Sequence, residues 1–368
     1  STLNNSVFDA NTITNNVGSG VQGLVRQSGV VTDLVIGNTD GDDDDGNIIT
    51  NNTGDGIAWL RRDTARVINL DIIDNTLMSN ANGLNLTAQN AGLLDTYDVD
   101  DNIITMNTVN GVRLRVDADA DLDIDMNNNL ITNNTGDGIN TSESVNTIND
   151  SRSISGTWTN NTITNNTGHG IQLTAATNNL IVGTAGNGNL ISMNGLDGVE
   201  INSFGSATFT ENTFTNNGTG GLDFNPTSTY LLTLNNNIFR SNTGTGVALD
   251  GGGLASVTVV MNSNIIDLNT GDGLEINGGT AGLSLTSDSN EYTRNLGRGI
   301  DILNQSSADS ILSFNNDIIV ANELEGLYVV NTASATQNQT DLATVALAAD
   351  GAVTATPTLN LSVRNSMI

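Results

Sequence analysis

The stretch that decides the fold is Asn47-Ile-Ile-Thr-Asn-Asn-Thr-Gly-Asp-Gly-Ile57, which returns as Asn129-Leu-Ile-Thr-Asn-Asn-Thr-Gly-Asp-Gly-Ile139 and as Asn161-Thr-Ile-Thr-Asn-Asn-Thr-Gly-His-Gly-Ile171. Looser copies fill the intervals. Their closing glycines, from Gly20 through Gly138 and Gly198 to Gly326, recur about every 28 residues, giving twelve copies. Asn stands four residues before the glycine in eleven copies, including Asn52, Asn107, Asn134, Asn166 and Asn194. An apolar residue precedes that Asn by three, as in Ile49, Ile104 and Ile131, and another follows the glycine, as in Ile57, Val112 and Ile139.

Outward from these columns the hydrophobic period is two. Val112-Arg-Leu-Arg-Val-Asp-Ala-Asp-Ala-Asp-Leu-Asp-Ile-Asp-Met126 alternates apolar and polar residues, the pattern of strand with one buried face. Each copy holds about three short strands separated by Asn/Gly turns. Three strands in 25–28 residues make one coil of a parallel β-helix, with successive coils about 4.8 Å apart. Inward columns become aliphatic ladders, and the recurrent Asn becomes an interior amide ladder at a corner. The glycine fits either a positive φ or a close backbone approach.

Composition narrows the function. The 368 residues carry 40 acids against 11 basic residues, a net charge of −29, and every basic residue is Arg. Phosphate would repel such a surface, so nucleic acid is excluded as a partner. No apolar run is long enough for a transmembrane helix, and membrane insertion is not expected. Without Cys there is neither disulfide framework nor thiolate metal site.

The Asn-x-Ile-x-x-Asn-x-x-x-Gly-Ile pattern resembles the right-handed parallel β-helix repeats of the pectate-lyase-like superfamily. The resemblance implies an all-β, right-handed parallel β-helix solenoid of about twelve coils over residues 1–330. Residues 331–352 break the phase and read as a loop or lateral excursion, and residues 353–368 read as the start of a further coil. Neither end shows a cap, which reads as a segment of a longer repeat array. The architecture hosts lyases, hydrolases, adhesins and passive stalks, so activity does not follow from it.

Candidate sites come from the acids. Asp71, Asp98 and Asp125 occupy one outward column in three consecutive copies, with Asp74 and Asp101 in a second column beside the corner. Such rows suit Ca2+, a hard cation that prefers oxygen ligands. The loop Asp40-Gly-Asp-Asp-Asp-Asp-Gly46, with Asp43 at its centre, is a second calcium candidate. His169, the only histidine, falls between Asp137 and Asp197 in the column between the motif's two glycines, and Arg298 falls between Asp272 and Glu325. A surface charge ladder accounts for both triples.

A lyase of the resembling type needs carboxylate-bound Ca2+ together with an Arg base over one substrate. Arg113 and Arg115 follow the glycine and belong to a different face from the Asp column, and most aromatics fall in inward columns. The expectation is therefore a calcium-stabilised structural rod of a secreted or cell-surface protein: stalk, adhesin shaft or filament subunit. Its expected partners are further copies stacked head to tail, more of the same chain, or surface carbohydrate. The alternatives are a polysaccharide lyase or hydrolase domain and a non-catalytic carbohydrate-binding adhesin.

Overall fold

The computed structural model describes the chain except residues 39–45, 91–94, 118, 144–151, 252–255, 279–281, 305–309, 332–337, 341–345, 349–358, 365 and 368. Among the described residues every regular element is a strand. The chain divides into two compact units: Ser1–Gly183 with Asn187–Leu190, and Thr184–Gly186 with Ile191–Ile368.

Each unit is a stack of three-strand coils whose strands pair in parallel with their counterparts one coil away, forming three sheets named here A, B and C in chain order. In the first unit sheet A contains Arg66–Ile73, Asp95–Asp100 and Asp121–Asn127, sheet B contains Thr76–Met78, Ile103–Thr105 and Leu130–Thr132, and sheet C contains Leu84–Gln89, Val112–Asp117 and Ile139–Glu143. The second unit repeats the plan, for example Val257–Asn262 in A, Ile265–Asp267 in B and Leu274–Gly278 in C. The expected parallel β-solenoid with three strands per coil is therefore present in both units.

Register is set by burial. Ile104 pairs with Leu77 and Ile131, and Val112 with Leu84 and Ile139; all six side chains are fully buried. A one-residue slip would turn every such ladder to solvent, so alternation fixes the pairing. The aromatics join the same interior. Phe214 stacks on Phe239 at 4.6 Å between centroids, and Phe224 meets Tyr230 edge-on at 5.2 Å.

Polar ladders hold the corners. In each rung at the B-to-C corner, the backbone N–H and the side-chain Nδ2 of one Asn both donate to Oδ1 of the Asn in the next coil. Asn107 donates in this way to Asn134, at 3.0 Å for both bonds, and Asn134 to Asn166, at 3.1 and 2.9 Å. The second unit repeats the rung from Asn194 through Asn217, Asn242, Asn269 and Asn295 to Asn322. A second ladder, built on the motif's first Asn, runs at the A-to-B corner. It passes through Asn47, Asn75, Asn102, Asn129, Asn161 and Asn189 in the first unit. In the second it passes through Asn212, Asn237, Asn264 and Asn290 and ends on the fully buried carboxylate of Asp317.

The closing glycine serves close approach. A Cβ on Gly138 would lie 2.5 Å from Ile163 Cγ2 and 2.6 Å from the Gly170 carbonyl oxygen. Positive φ falls instead on the residue before the ladder Asn, as at Met106 (54°), Asn133 (56°) and Leu268 (58°). Within the phase break, Asn338–Thr340 and Ala346–Ala348 are strands, the first pairing with Leu359–Arg364 and the second with Leu327–Asn331. Leu359–Arg364 in turn adds to Ser310–Asn315 of sheet A.

Candidate functional site

The acidic column is assembled as its spacing predicts. Asp98 lies in register with Asp71 on one side and Asp125 on the other, all three projecting from the outer face of sheet A. Partial burial, then repulsion by Asp71, Asp100, Asp125 and Asp123, pushes the Asp98 carboxyl up to about 6. Asp71 is raised by burial and by Asp33. The row ends at Asp125, where the Thr157 N–H donates to Oδ1 at 2.6 Å. On the same strand Asp121 and Asp123 accept hydroxyls from Ser153 and Ser155 at 2.7 and 3.0 Å. Asp74 and Asp101 stand at positive-φ corner positions, one residue before the ladder residues Asn75 and Asn102. The carboxylates are thus distributed one per coil along two columns. Among the described residues no three His, Cys, Asp or Glu side chains converge as a metal-binding group. Asp43 and its acidic loop lie outside the described residues.

The basic residues are dispersed. Arg113 and Arg115 lie on the outer face of sheet C, as their position after the glycine implies, and Arg115 pairs with Asp117 at 3.0 Å. Arg61 is not a surface group at all. Its strand reads Ile57, Trp59, Arg61 on the inward parity, and its guanidinium is fully buried against Asp95, which is equally buried. It also donates to the carbonyl oxygens of Gln89, Asn90 and Asp121, while Asp95 Oδ1 accepts the Val67 N–H at 2.9 Å. Every partner in this knot comes from a neighbouring coil or corner, so it ties strands together and offers nothing to a substrate.

The column between the motif's glycines behaves as a charge ladder around Arg298. Its guanidinium donates to Asp301 at 2.9 Å and to Glu325 at 3.0 Å and stacks 4.0 Å over the Tyr328 ring. The Tyr328 ring is therefore covered by a cation. Around His169, which is buried, the backbone N–H donates to Asp137 at 2.8 Å, and Asp137 also accepts Asn140 Nδ2 at 2.8 Å. In sheet B of the second unit, buried Asp267 bridges Arg240, at 2.6 Å, and Arg294.

Two hollows on the first unit are lined by described residues. One, of about 600 Å3, lies among Leu3, Phe8, Val25, Leu34, Ile36 and Trp59, where the first coil leaves apolar side chains open. Of its lining, Leu3 and Leu24 are 45% and 50% exposed. The other, of about 310 Å3, lies on the outer face of sheet C, walled by Gln22, Asn85, Gln89, Asp55, Arg113 and Arg115. Trp59 lines both, and its Nε1 is buried without a hydrogen-bond partner.

Comparison with known proteins bears on the architecture. A family described as "Right handed beta helix region" matches residues 145–318, a little under half of the chain. No curated protein and no solved structure matches the sequence. The ladders before residue 145 repeat those inside the matched region rung for rung. Residues 145–318 are therefore similar to right-handed β-helix proteins, and the same three-sheet parallel solenoid is present in both units.

Proposed function

We propose that the coils form a structural segment of a secreted or cell-surface protein, acting as a stalk, an adhesin shaft or a filament subunit. The observation that carries this reading is where the polar groups are spent. Two Asn ladders lie in the core, Arg61 is locked to Asp95, Arg298 is held by two acids and a ring, and Asp121, Asp123 and Asp125 accept bonds from the next coil. These contacts join coil to coil, as a load-bearing stack requires. Eliminative cleavage of a uronate polymer would need a cation and a base over the same sugar, whereas the Asp row is on sheet A and Arg113 on sheet C.

The test is incubation of the chain with uronate and neutral polysaccharides, with and without Ca2+. The structural reading expects neither unsaturated products nor new reducing ends; either product would overturn it. In this reading Ca2+ would bridge neighbouring rungs along the Asp row, and the open apolar first coil supports stacking against a further coil, from another copy or the same chain.

A second reading, non-catalytic carbohydrate binding, is favoured by the amide- and guanidinium-walled hollow on sheet C. Retention on immobilised glycans that is lost in Arg113→Ala supports it, and equal retention of the variant removes it.

A further inference from the structure

Sheet B of the first unit presents an outer face unlike the rest of this acidic surface. Six three-residue strands, from Thr12–Thr14 to Thr162–Thr164, each turn their middle residue inward and the flanking two outward. None of the outward positions carries a charge, in a chain whose net charge is −29. Eight are Thr, and the other four are Ile48, Met78, Ile103 and Leu130. The pairing is in register throughout, so these side chains form two straight rows. Neighbours within a row are about 4.8 Å apart, and the rows are about 7 Å apart, two residues along the strand. Thr and Ile are stiff at χ1, so the array is ordered before anything meets it.

At two rungs the rows differ in depth: Ile48 and Ile103 are 48% and 44% exposed, whereas Thr50 and Thr105 beside them are 7% and 8% exposed; Leu130 projects as well, at 37%, beside a half-buried Thr132. Thr50 and Thr105 thus lie recessed beside projecting aliphatic side chains, and Thr50 donates to the Thr14 hydroxyl at 3.3 Å. In the second unit the same columns carry Arg240, Asp267 and Glu291, so neutrality is a property of the first unit's face.

We infer that this face binds the surface of ice. A charge-free array on a polyanion complements a neutral partner. Recessed hydroxyls admit a group the size of water but not a sugar ring, and no outward position is aromatic, as stacking on a sugar would favour. The face covers roughly 25 Å by 10 Å, well below the ~800 Å2 per partner of a stable protein complex, which argues against a second copy. A lattice of water needs only ordered hydroxyl and methyl rows, and its surface is extended where this face is narrow.

The test is ice shaping and inhibition of ice recrystallisation by the purified chain, followed by Thr132→Tyr and Ile103→Asp, which break the plane of the face. Thr208→Tyr, on sheet A of the second unit, is the control, and circular dichroism with the thermal midpoint establishes that each variant is folded. The inference expects activity in the parent chain, at least a tenfold higher concentration for the same effect in each face variant, and an unchanged control. It is overturned by a parent chain without effect on ice, by equal loss in the control, or by a face that instead mediates dimerisation or adsorption to crystalline polysaccharide.

Discussion

Replacing Asn134 by Ala tests the interior ladder where it is most completely described. Asn134 is fully buried; its Oδ1 accepts both the N–H and Nδ2 of Asn107, and its Nδ2 donates to Asn166 Oδ1 at 2.9 Å and to the Ile104 carbonyl at 3.3 Å. Alanine strands the Asn107 N–H outright and takes one bond each from Asn107 Nδ2, Asn166 Oδ1 and the Ile104 oxygen. A stranded buried donor costs about 1–3 kcal/mol and each of the three lost bonds about 0.5–1.5, so the expected loss is about 3–7 kcal/mol. Unfolding of a repeat stack need not be two-state, so the local readout is hydrogen exchange at the Asn107 amide, with the thermal midpoint measured alongside. Protection there should fall by about a hundredfold or more, since each 1.4 kcal/mol is a factor of ten. A loss below about 1 kcal/mol, with Asn107 still protected, would mean that stacking of the aliphatic columns alone holds the coils, and the energetic role given to the amide ladders would be wrong.

Other predictions concern charge. Arg61→Met leaves the Asp95 carboxylate buried without its cation and should cost about 3–5 kcal/mol, while adding Asp95→Leu should recover much of that loss in thermal unfolding. Raised carboxyls bind protons more tightly folded than unfolded, so Asp98 and Asp317, both near 6, should raise the thermal midpoint as pH falls from about 7 towards 4. For Asp98 the shift from 3.8 to about 6 corresponds at face value to about 3 kcal/mol, and its half-open position reduces this to about 1 kcal/mol. Asp98→Asn should therefore raise the midpoint at neutral pH and flatten the pH dependence; an unchanged profile would show that Asp98 is not under strain. At fixed ionic strength Ca2+ should raise the neutral-pH midpoint, an effect reduced by Asp98→Asn but not by Glu291→Gln on sheet B of the second unit, and a chelator-insensitive midpoint would remove calcium from the account.

The coils were legible because a parallel solenoid writes its geometry into one column per ladder. Ile104, Asn107 and Val112 recur at fixed offsets, and burial turns any slip into a penalty. The second Asn ladder was visible in the motif's first residue, but its neighbours vary more, and it ends on Asp317. Arg61 and Asp95 were not identified because residue type suggested surface. Parity held the signal: each lies two residues from a buried aromatic on the same strand, Trp59 and Tyr97. Positive φ at Met106 and Leu268 carried no compositional mark, since neither residue favours that conformation by itself. The acid columns could be placed from the sequence, but whether each carboxylate meets a cation, a hydroxyl or another acid depends on the neighbouring coil. Ser153 and Ser155 answer this for Asp121 and Asp123.

Single-molecule pulling, with the chain tethered at its two ends, tests the structural role most directly. Ladder partners within a unit are commonly 27 residues apart, so releasing one coil should lengthen the chain by about 90 Å. A load-bearing stack predicts repeated steps near that length, with Asn134→Ala lowering the force of the steps in the first unit. Release of each unit in one low-force event, with no coil-sized steps, would contradict it.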